Sequence, residues 1–285
     1  MKIAVVGNGM AGSMIMHYLK NRGHNITGFA RNTGTLDVYN MQHLINLESW
    51  IKDNEPIAVI NCIGLLVKAC QENPCDATYI NSFFPHALEN MTENTNTKVI
   101  HLSTDCIFNG ESIIPYDEYS LPTETNWYGR SKALGEINND KDLTLRQSII
   151  GPAPQVNNTG LFNWILTQKE KSIKGFDKVF WNGITTLELA KNIEKILVNS
   201  PQLSGIYSLL PEHIINKYEL LMLIKNKWNL DVNIEKVSEP ESFKILELIK
   251  KEIFPILDYK EQIDELYDYM NKYNIKVSDL LIKFI

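Results

Sequence analysis

Tyr128 and Lys132 stand four residues apart in the segment NWYGRSKALGE (126–136), a spacing that places both side chains on one face of a helix. A tyrosine phenol with its ordinary pKa of about 10 exchanges protons poorly at neutral pH, but a neighbouring lysine cation favours the phenolate and lowers that pKa. The pair is therefore a candidate general acid–base group. Most isolated pairs at this spacing are surface contacts, so the interpretation depends on the residues around them.

Thr104 is a third residue with a chemical use. The apolar segment before it, KVIHLS (98–103), predicts a β-strand, and Thr104 would project from the C-terminal end of that strand. Doubly wound parallel sheets bind ligands at this edge, where a threonine hydroxyl can hydrogen-bond a substrate carbonyl. We expect Thr104, Asp105 and Tyr128 to contact the substrate.

A glycine-rich turn lies near the start of the chain. Gly7, Gly9 and Gly12 form a G-x-G-x-x-G pattern between a predicted strand at 2–6 and a predicted helix at 13–22. Such a turn binds a dinucleotide pyrophosphate on backbone N–H groups at the helix N-terminus, where side chains would block the approach. An ordinary tight turn is the alternative, and the position directly after the first strand favours the dinucleotide.

Arg31 indicates which dinucleotide is bound. The second predicted strand, at 25–30, ends without the acidic residue that commonly holds the ribose 2′-hydroxyl of NAD. Arg31 follows it instead, and a guanidinium suits the 2′-phosphate of NADP. The sequence therefore favours NADP, with a solvated loop cation as the alternative for Arg31.

The elements that must position these residues follow a regular order. Apolar segments at 57–61, 98–103 and 143–146 predict further strands, and a helical pattern from Asp76 to Met91 separates the first two of them. Strands that are apolar throughout and alternate with helices predict an α/β fold with a Rossmann-type, doubly wound parallel sheet.

Gly151, Pro152 and Pro154 mark a change of lobe. We expect residues 1–151 to form an NADP-binding Rossmann domain that includes the catalytic triad. Residues 152–285 are expected to form mainly a smaller C-terminal substrate-binding lobe, with some segments returning to the Rossmann sheet.

The pattern from Phe162 onward is mostly helical. Thr185, three residues before Glu188, predicts a capping box that opens a helix. The segment after Pro240 is charged, helical in period and free of glycine, which is typical of a solvated helical face or of a contact between two copies of the chain.

Composition limits the classes of partner. The 285 residues carry a net charge of −6 and a pI near 5.6, which argues against a nucleic-acid surface because phosphate binding needs clustered Lys and Arg. No apolar run approaches the length of a membrane span. Neither the four cysteines nor the six histidines show metal-ligand spacing, so we expect no metal site. We expect a cytoplasmic protein with free thiols.

Three segments resemble a known family. LSTDCIFNG (102–110), YGRSK (128–132) and LRQSIIGP (145–152) are similar to the dTDP-4-dehydrorhamnose reductase branch of the extended short-chain dehydrogenases/reductases. Further residues that fit the pattern are Tyr116, Glu118, Gly135 and Glu136. The resemblance implies an oxidoreductase that uses NADPH to reduce the 4-keto group of a nucleotide-linked 6-deoxysugar.

The resemblance also implies roles for single residues. Thr104, Tyr128 and Lys132 would form the catalytic triad, in which Tyr128 gives a proton to the sugar O4 while a hydride reaches C4. Lys132 would also hold the nicotinamide ribose. The full set of expected cofactor-binding residues is Gly7, Gly9, Met10, Ala11, Gly12, Arg31, Asn32, Cys62, Ile63, Gly64, Tyr128 and Lys132.

Two later segments refine the expected substrate. GLFNWIL (160–166) and WNGITTLELAK (181–191) look closer to reductases of UDP-linked 2-acetamido-2,6-dideoxy-4-hexuloses. Departures from the rhamnose-synthesis pattern, in the glycine turn and after Pro240, point the same way. The aromatic side chains of these segments can stack on a nucleotide base, although aromatic residues in such a lobe are more often core. We expect a UDP- or dTDP-linked 4-keto sugar, and favour the UDP-linked acetamido sugar.

Cys106 suggests a second activity. Its position resembles the cysteine of bifunctional epimerase/reductases, in which a thiol and a second acid move a proton on the carbon beside the ketone. The partner in those relatives is a His or Lys in a later segment, which here corresponds to Lys169 or Lys171. We therefore hypothesise a C3 epimerisation before the reduction. A small buried filler is an equally good interpretation of Cys106.

Two alternatives remain open at this point. A 4-epimerase or 4,6-dehydratase with permanently held NAD would use the same fold, although a dehydratase needs an acidic pair where this chain has Asp105 and Cys106. A non-catalytic subunit that senses a dinucleotide usually loses the tyrosine or the lysine, and both are present. Besides the nucleotide sugar, a second copy of the chain remains an open partner.

Overall fold

A six-stranded β-sheet forms the centre of the structure, a computed structural model that describes residues 1–154, 160–250 and 255–275. The strands are β1 (Lys2–Val6), β2 (Asn25–Phe29), β3 (Ala58–Asn61), β4 (Lys98–Leu102), β5 (Leu143–Arg146), β6 (Ile149–Ile150), β7 (Lys171–Phe176), β8 (Val179–Trp181), β9 (Ile184–Thr185), β10 (Gly205–Ser208), β11 (Ile215–Asn216), β12 (Val232–Val237) and β13 (Ser242–Phe243). The helices are α1 (Met10–Asn21), α2 (Met41–Asn54), α3 (Val67–Glu72), α4 (Pro74–Thr78), α5 (Phe84–Thr92), α6 (Trp127–Leu134), α7 (Leu161–Leu166), α8 (Thr186–Asn199), α9 (Lys217–Trp228) and α10 (Tyr259–Lys272).

The large sheet has the order β10-β5-β4-β3-β1-β2, and each neighbouring pair is parallel. The order reverses between β1 and β3, which places a crevice at the carboxyl ends of these two strands. The predicted α/β fold class with a doubly wound parallel sheet is confirmed.

Alternate side chains of β1 serve two separate cores. Ile3 and Val5 pack in a cluster that includes α1 and α8, whereas Ala4 and Val6 pack in a cluster that includes α2 and α5. All four side chains are fully buried. A strand covered by helices on both faces must be apolar at every position, and this explains the unbroken run IAVV.

The helical pattern at 76–91 corresponds to one helical run with a π-helical turn, Tyr79–Phe83, between α4 and α5. Asn81 and Ser82 on this turn both hydrogen-bond Ser131 of α6, through its hydroxyl at 3.1 Å and its carbonyl at 2.8 Å. The contact is close because Gly135 faces it: a Cβ there would lie 1.9 Å from the Asn81 carbonyl oxygen. The π-helical turn therefore fixes α6 against the sheet.

The C-terminal half differs from the mostly helical prediction. β7 pairs with β12, and β8 pairs with β11 and β13 in two small sheets. In β7, Ile173 and Gly175 are buried and alternate with exposed Ser172 and Lys174, so the period of two in KSIKGF is the signal that the helical interpretation passed over.

Some later segments return to the N-terminal sheet. β10 pairs with β5 at its edge, and α8 packs against α1. At the start of α8 the Thr185 hydroxyl accepts a hydrogen bond from the Glu188 N–H at 3.1 Å, which is half of the predicted capping box. The Glu188 carboxylate pairs with Lys191 at 3.0 Å instead of accepting a hydrogen bond from the Thr185 N–H.

The segment after Pro240 contributes to the core. One face of α10 buries Tyr259, Ile263, Leu266 and Met270 in the cluster that also contains residues of α7 and α9. Neither a solvated face nor a contact between two copies, the two expectations for this segment, accounts for this buried face. None of the helices in the described ranges combines the length and the apolarity that a membrane crossing requires.

A buried ion pair joins the end of β5 to the end of α6. The Arg146 guanidinium donates to both Glu136 carboxylate oxygens, at 2.9 and 2.8 Å, and both side chains are almost fully buried. Ser103, just after β4, donates to the same carboxylate at 2.6 Å. Arg146 also donates to the Asp117 carbonyl at 3.1 Å, so one guanidinium connects a strand, a helix and a loop.

Glu136→Ala is expected to lower the free energy of unfolding by about 3–5 kcal/mol, because it leaves the buried Arg146 charge unpaired. The double variant Glu136→Leu/Arg146→Met should lose less than Glu136→Ala, since no lone charge remains. Urea denaturation measures the free energy of unfolding of the wild-type protein and of both variants. Glu48→Ala, which breaks an exposed pair with Lys52, is the control and should change stability by less than about 0.5 kcal/mol. A loss of that small size in Glu136→Ala would contradict the assignment.

Candidate active site

The carboxyl edge of the large sheet opens into a cavity of about 580 Å³. Its lining comes from the segments that follow β1, β3 and β4, from α6 and from the turn after β5: these include Gly9, Met10, Ala11, Cys62, Ile63, Gly64, Thr104, Asp105, Cys106, Tyr128, Lys132 and Gln147. The cavity thus lies at the point where the strand order reverses, and it has room for an extended ligand.

The glycine turn is shaped for a pyrophosphate. Gly7 has a φ of +93°, and a Cβ on Gly12 would lie 1.9 Å from the Gly7 carbonyl oxygen, so these two positions require glycine for the turn itself. Gly9 faces the cavity and has no atom within 4 Å of a Cβ position. Gly9 is the N-cap residue of α1 and has no side chain that could accept from the first N–H groups of the helix. The first turn of α1 has no acidic residue. The N–H groups and the helix dipole are therefore available to an anion.

Arg31 and Asn32 stand beside the glycine turn, outside the cavity lining. They begin a 3-10 turn after β2, Arg31–Thr33, and the Asn8 amide donates to the Asn32 side-chain oxygen at 2.6 Å. The Arg31 side chain is exposed and has no ion-pair partner within the described residues. A cation at this position is free to meet a phosphate at the outer end of a bound dinucleotide.

Lys132 is held by the end of β4. Its side chain is buried, and its ammonium donates to the Leu102 carbonyl at 2.6 Å and lies 3.2 Å from His101 Nε2. Burial lowers the pKa of Lys132 to about 8, while the Glu136 carboxylate acts in the opposite direction.

His101 contacts Lys132 and is a hydrogen-bonded core residue, as its place in an apolar strand favours. Burial and the neighbouring Lys132 charge hold its pKa well below the ordinary value, so the ring is neutral. Its Nδ1 lies 3.1 Å from the Asn61 side chain on the neighbouring strand. Asn61 and His101 pair in register on two buried parallel strands whose other residues are apolar except Lys98.

Tyr128 and Thr104 meet in the cavity. Burial raises the pKa of the Tyr128 phenol above its usual value, and the neighbouring Thr104 side chain opposes that rise. Lys132 was expected from the sequence to lower this pKa; instead burial, and then the nearby Cys106 and Asp105, raise it. Tyr128 is consequently a neutral phenol, which is the proton-donating form.

The turn that presents Thr104 is rigidly placed. The Thr104 hydroxyl donates to Asp105 at 3.1 Å and accepts from the Cys106 N–H at 3.2 Å, and so caps the 3-10 turn Asp105–Ile107. α6 packs directly on this turn, since a Cβ on Gly129 would lie 2.4 Å from the Cys106 carbonyl oxygen. The structure thus brings Thr104, Tyr128 and Lys132 into one cavity, beside the glycine turn.

Cys106 lines the cavity, but the two lysines expected to work with it do not. Burial, and then the Asp105 charge, raise the pKa of the Cys106 thiol to about 12. Lys169 is exposed and pairs with Glu170, while Lys171 is exposed and donates to the Gln168 side chain at 3.3 Å. Neither lysine lies among the residues that line the cavity.

A second cavity, of about 560 Å³, lies in the C-terminal half. Trp164 and Phe176 contribute to its largely apolar wall, and Lys217 lines it as well. Of the other aromatic candidates, Phe162 is fully buried core and Trp181 is buried beneath Lys217. Within the described ranges, no cluster of three or more His, Cys, Asp or Glu side chains could hold a metal ion.

Comparison with known proteins places this fold and site in a family. The sequence model described as the RmlD substrate binding domain matches residues 1–244. The probable low-salt glycan biosynthesis reductase Agl14 of Haloferax volcanii is 31% identical over 157 residues, which are 50% of this chain and 51% of that protein. The match thus spans about half the length of Agl14.

Two further comparisons extend over more of the chain. The spore coat polysaccharide biosynthesis protein SpsK of Bacillus subtilis is 24% identical over 247 residues, or 84% of each protein. A crystal structure of dTDP-4-dehydrorhamnose reductase from Bacillus anthracis in complex with NADP has a TM-score of 0.81 at 19% identity, and the match covers 94% of this chain and 99% of that chain. Since the family match extends over most of its length, the chain belongs to the RmlD substrate binding domain family.

Proposed function

We propose that the protein reduces the 4-keto group of a nucleotide-linked 4-keto-6-deoxyhexose with NADPH. The observation that supports this most strongly is that Thr104, Tyr128 and Lys132 line one cavity together with the glycine turn. In this proposal residues 1–151 bind NADP and carry out the chemistry, and residues 152–285 mainly bind the nucleotide sugar.

Each catalytic group has a task that its surroundings suit. Tyr128 donates its proton to the sugar O4, and Thr104 orients that oxygen through its hydroxyl. Lys132 stabilises the phenolate that remains, and its attachment to the Leu102 carbonyl keeps the ammonium in place. Bound NADPH supplies the hydride for C4. The cofactor contacts assigned from the sequence, on the glycine turn, after β3 and at Arg31 and Asn32, belong to the same proposal.

The nature of the relatives supports a reductase of sugar precursors. One is described as a probable glycan biosynthesis reductase, and the NADP complex with the same fold is a dTDP-4-dehydrorhamnose reductase. We favour a UDP-linked 2-acetamido-2,6-dideoxy-4-hexulose because the segments at 160–166 and 181–191 resemble reductases of such sugars. Trp164 from the first segment lines the second cavity, where a planar base has an aromatic partner.

The substrate assignment is tested by offering UDP- and dTDP-linked 4-keto-6-deoxysugars with NADPH, following the loss of NADPH absorbance and identifying the product by NMR. Reduction of the UDP-linked acetamido sugar in preference to the dTDP-linked sugar is the expected result. Purified protein that retains NAD tightly and leaves NADPH unused would favour a 4-epimerase or 4,6-dehydratase instead. Binding of NADPH without turnover of any such sugar would favour a non-catalytic subunit.

Tyr128→Phe is expected to lower kcat by about 10²- to 10⁴-fold, because the ring remains and only the proton donor is lost. The dissociation constant for NADPH, measured by fluorescence titration, should stay within about threefold of the wild-type value. Tyr119→Phe, a change at an exposed tyrosine outside the cavity, is the matched control and should retain activity. Wild-type turnover by the Tyr128 variant would remove the assignment of the proton donor.

Arg31→Ala is expected to weaken NADPH binding by about 10- to 100-fold and to leave NADH binding almost unchanged, since only NADPH has the 2′-phosphate. Titration of the variant with each nucleotide gives the ratio of the dissociation constants for NADPH and NADH. Lys52→Ala, which removes an exposed cation from α2, is the control and should preserve the preference of the wild-type protein. An unchanged ratio in Arg31→Ala would show that Arg31 is a solvated loop cation.

An epimerisation at C3 before the reduction is the second part of the proposal. In it a base on one face of the sugar, the role expected of Lys169 or Lys171, accepts the proton from C3, and Cys106 returns a proton on the opposite face. Cys106 faces the cavity, and its high pKa keeps the thiol protonated at neutral pH, which suits the group that returns a proton to carbon. The exposed positions of Lys169 and Lys171 make them weaker candidates than Cys106 for a role in this step.

The 4-keto sugar, incubated with protein in deuterated water without NADPH, is expected to gain deuterium at C3. Cys106→Ala should abolish this exchange and retain reduction when NADPH is added, whereas Cys75→Ala, a change at an exposed thiol, should retain both. NMR of the recovered sugar measures the exchange. If the wild-type protein incorporates no deuterium, Cys106 is a packing residue and the reaction is a reduction alone.

A further inference from the structure

Lys217 is a half-buried cation that the proposed reaction leaves without a task. It is the first residue of α9 and lines the second cavity, with its ammonium 4.7 Å from the centre of the Trp181 ring. Asp105 and Cys106, which line the first cavity, are close enough to favour its charged form. Lys217 therefore lies between the two cavities.

The position is an unfavourable one for a cation. Burial lowers the pKa of Lys217 to about 8, and the positive end of the α9 dipole acts against a charge on its first residue. Within residues 1–154, 160–250 and 255–275, the ammonium makes no hydrogen bond or ion pair, and it lies over the Trp181 ring. Asp105 is near enough to favour the charged form but makes no ion pair with it, so a half-buried ammonium remains that an anionic ligand could pair with.

The chemistry of the two cavities indicates which groups such a ligand would have at its two ends. The first contains the catalytic groups for a ketone, and the second is mostly apolar, with Trp164 on its wall. Gly160 lines the first and Leu161 lines the second, so the two are adjacent. A molecule with a keto sugar at one end and a base at the other would extend its linker past Lys217.

We propose that Lys217 binds the diphosphate linker of the nucleotide-sugar substrate, as the counter-charge at the junction of the two cavities. The inference rests on the proposed function and adds to it the residue that recognises the anionic part of the substrate. Arginine, the side chain best suited to phosphate, is absent from the sequence between 152 and 285, which favours a lysine for this role in the C-terminal half.

Binding of UDP and of dTDP tests the assignment without any catalytic step. Isothermal titration calorimetry, on protein saturated with NADP⁺, gives dissociation constants for both diphosphates and for uridine and thymidine. Lys217→Met is expected to weaken the binding of both diphosphates by about 10- to 100-fold and to leave the binding of the nucleosides almost unchanged. Lys217→Arg should recover most of the affinity. Lys225→Met, the same change near the other end of α9, is the matched control and should bind as the wild-type protein does.

Thermal unfolding separates this role from a structural one. Lys217→Met should unfold at the same temperature as the wild-type protein or higher, because it removes a half-buried charge that makes no ion pair within the described residues. A marked loss of stability, or equal diphosphate affinities of the wild-type and Lys217→Met proteins, would overturn the inference. So would a variant that keeps its diphosphate affinity and loses only the deuterium exchange, since Lys217 would then be the second acid of the epimerisation.

Failure of the proposed function has a different outcome. In that case the wild-type protein itself binds neither UDP nor dTDP and reduces none of the nucleotide-linked 4-keto sugars. Failure of the Lys217 assignment leaves wild-type binding and reduction intact and changes only the comparison between variants.

Discussion

The hydrogen bond from the Lys132 ammonium to the Leu102 carbonyl joins α6 to the end of β4, and the geometry of the site depends on it. Tyr128 is one helical turn from Lys132, and Thr104 is two residues beyond Leu102. The same contact therefore sets the distance between the phenol and the hydroxyl. Gly129 allows α6 to approach the turn after β4, and the π-helical turn packs against the other side of α6 through the hydrogen bond between Asn81 and Ser131. Rigid support from two sides is what keeps a catalytic constellation in register.

Burial decides the protonation states around this contact. A site that excludes water favours the neutral forms of its groups, so the Tyr128 phenol and the His101 ring stay uncharged and the pKa of Lys132 falls to about 8. Such a site is prepared to give a proton, which is the direction that reduction of a ketone requires. An electrostatic field of this kind needs no rearrangement during the reaction.

The sequence indicated the fold well because its strongest signals are local. Apolar strands, a glycine turn and a helical spacing of four each reflect contacts within a short segment, and the α/β class and the sheet follow from them. The strands β7 and β12 were missed because half of their residues are polar and the helical period was given more weight. The contacts of Lys217 and His101 were not predicted for a different reason. Their importance comes from neighbours in space more than 30 residues away in sequence, Cys106 for Lys217 and Lys132 for His101, which no local pattern encodes.

The edge strand β10 comes from the second half of the chain, yet it completes the sheet that begins at residue 2. During synthesis on the ribosome the first five strands of this sheet emerge well before their last neighbour, and β5 keeps an open edge until residues 205–208 follow. The nascent polypeptide therefore depends on its own later portion to close that edge. A fragment that ends at residue 151 would expose β5 and the α1 surface that α8 covers, and would be prone to self-association.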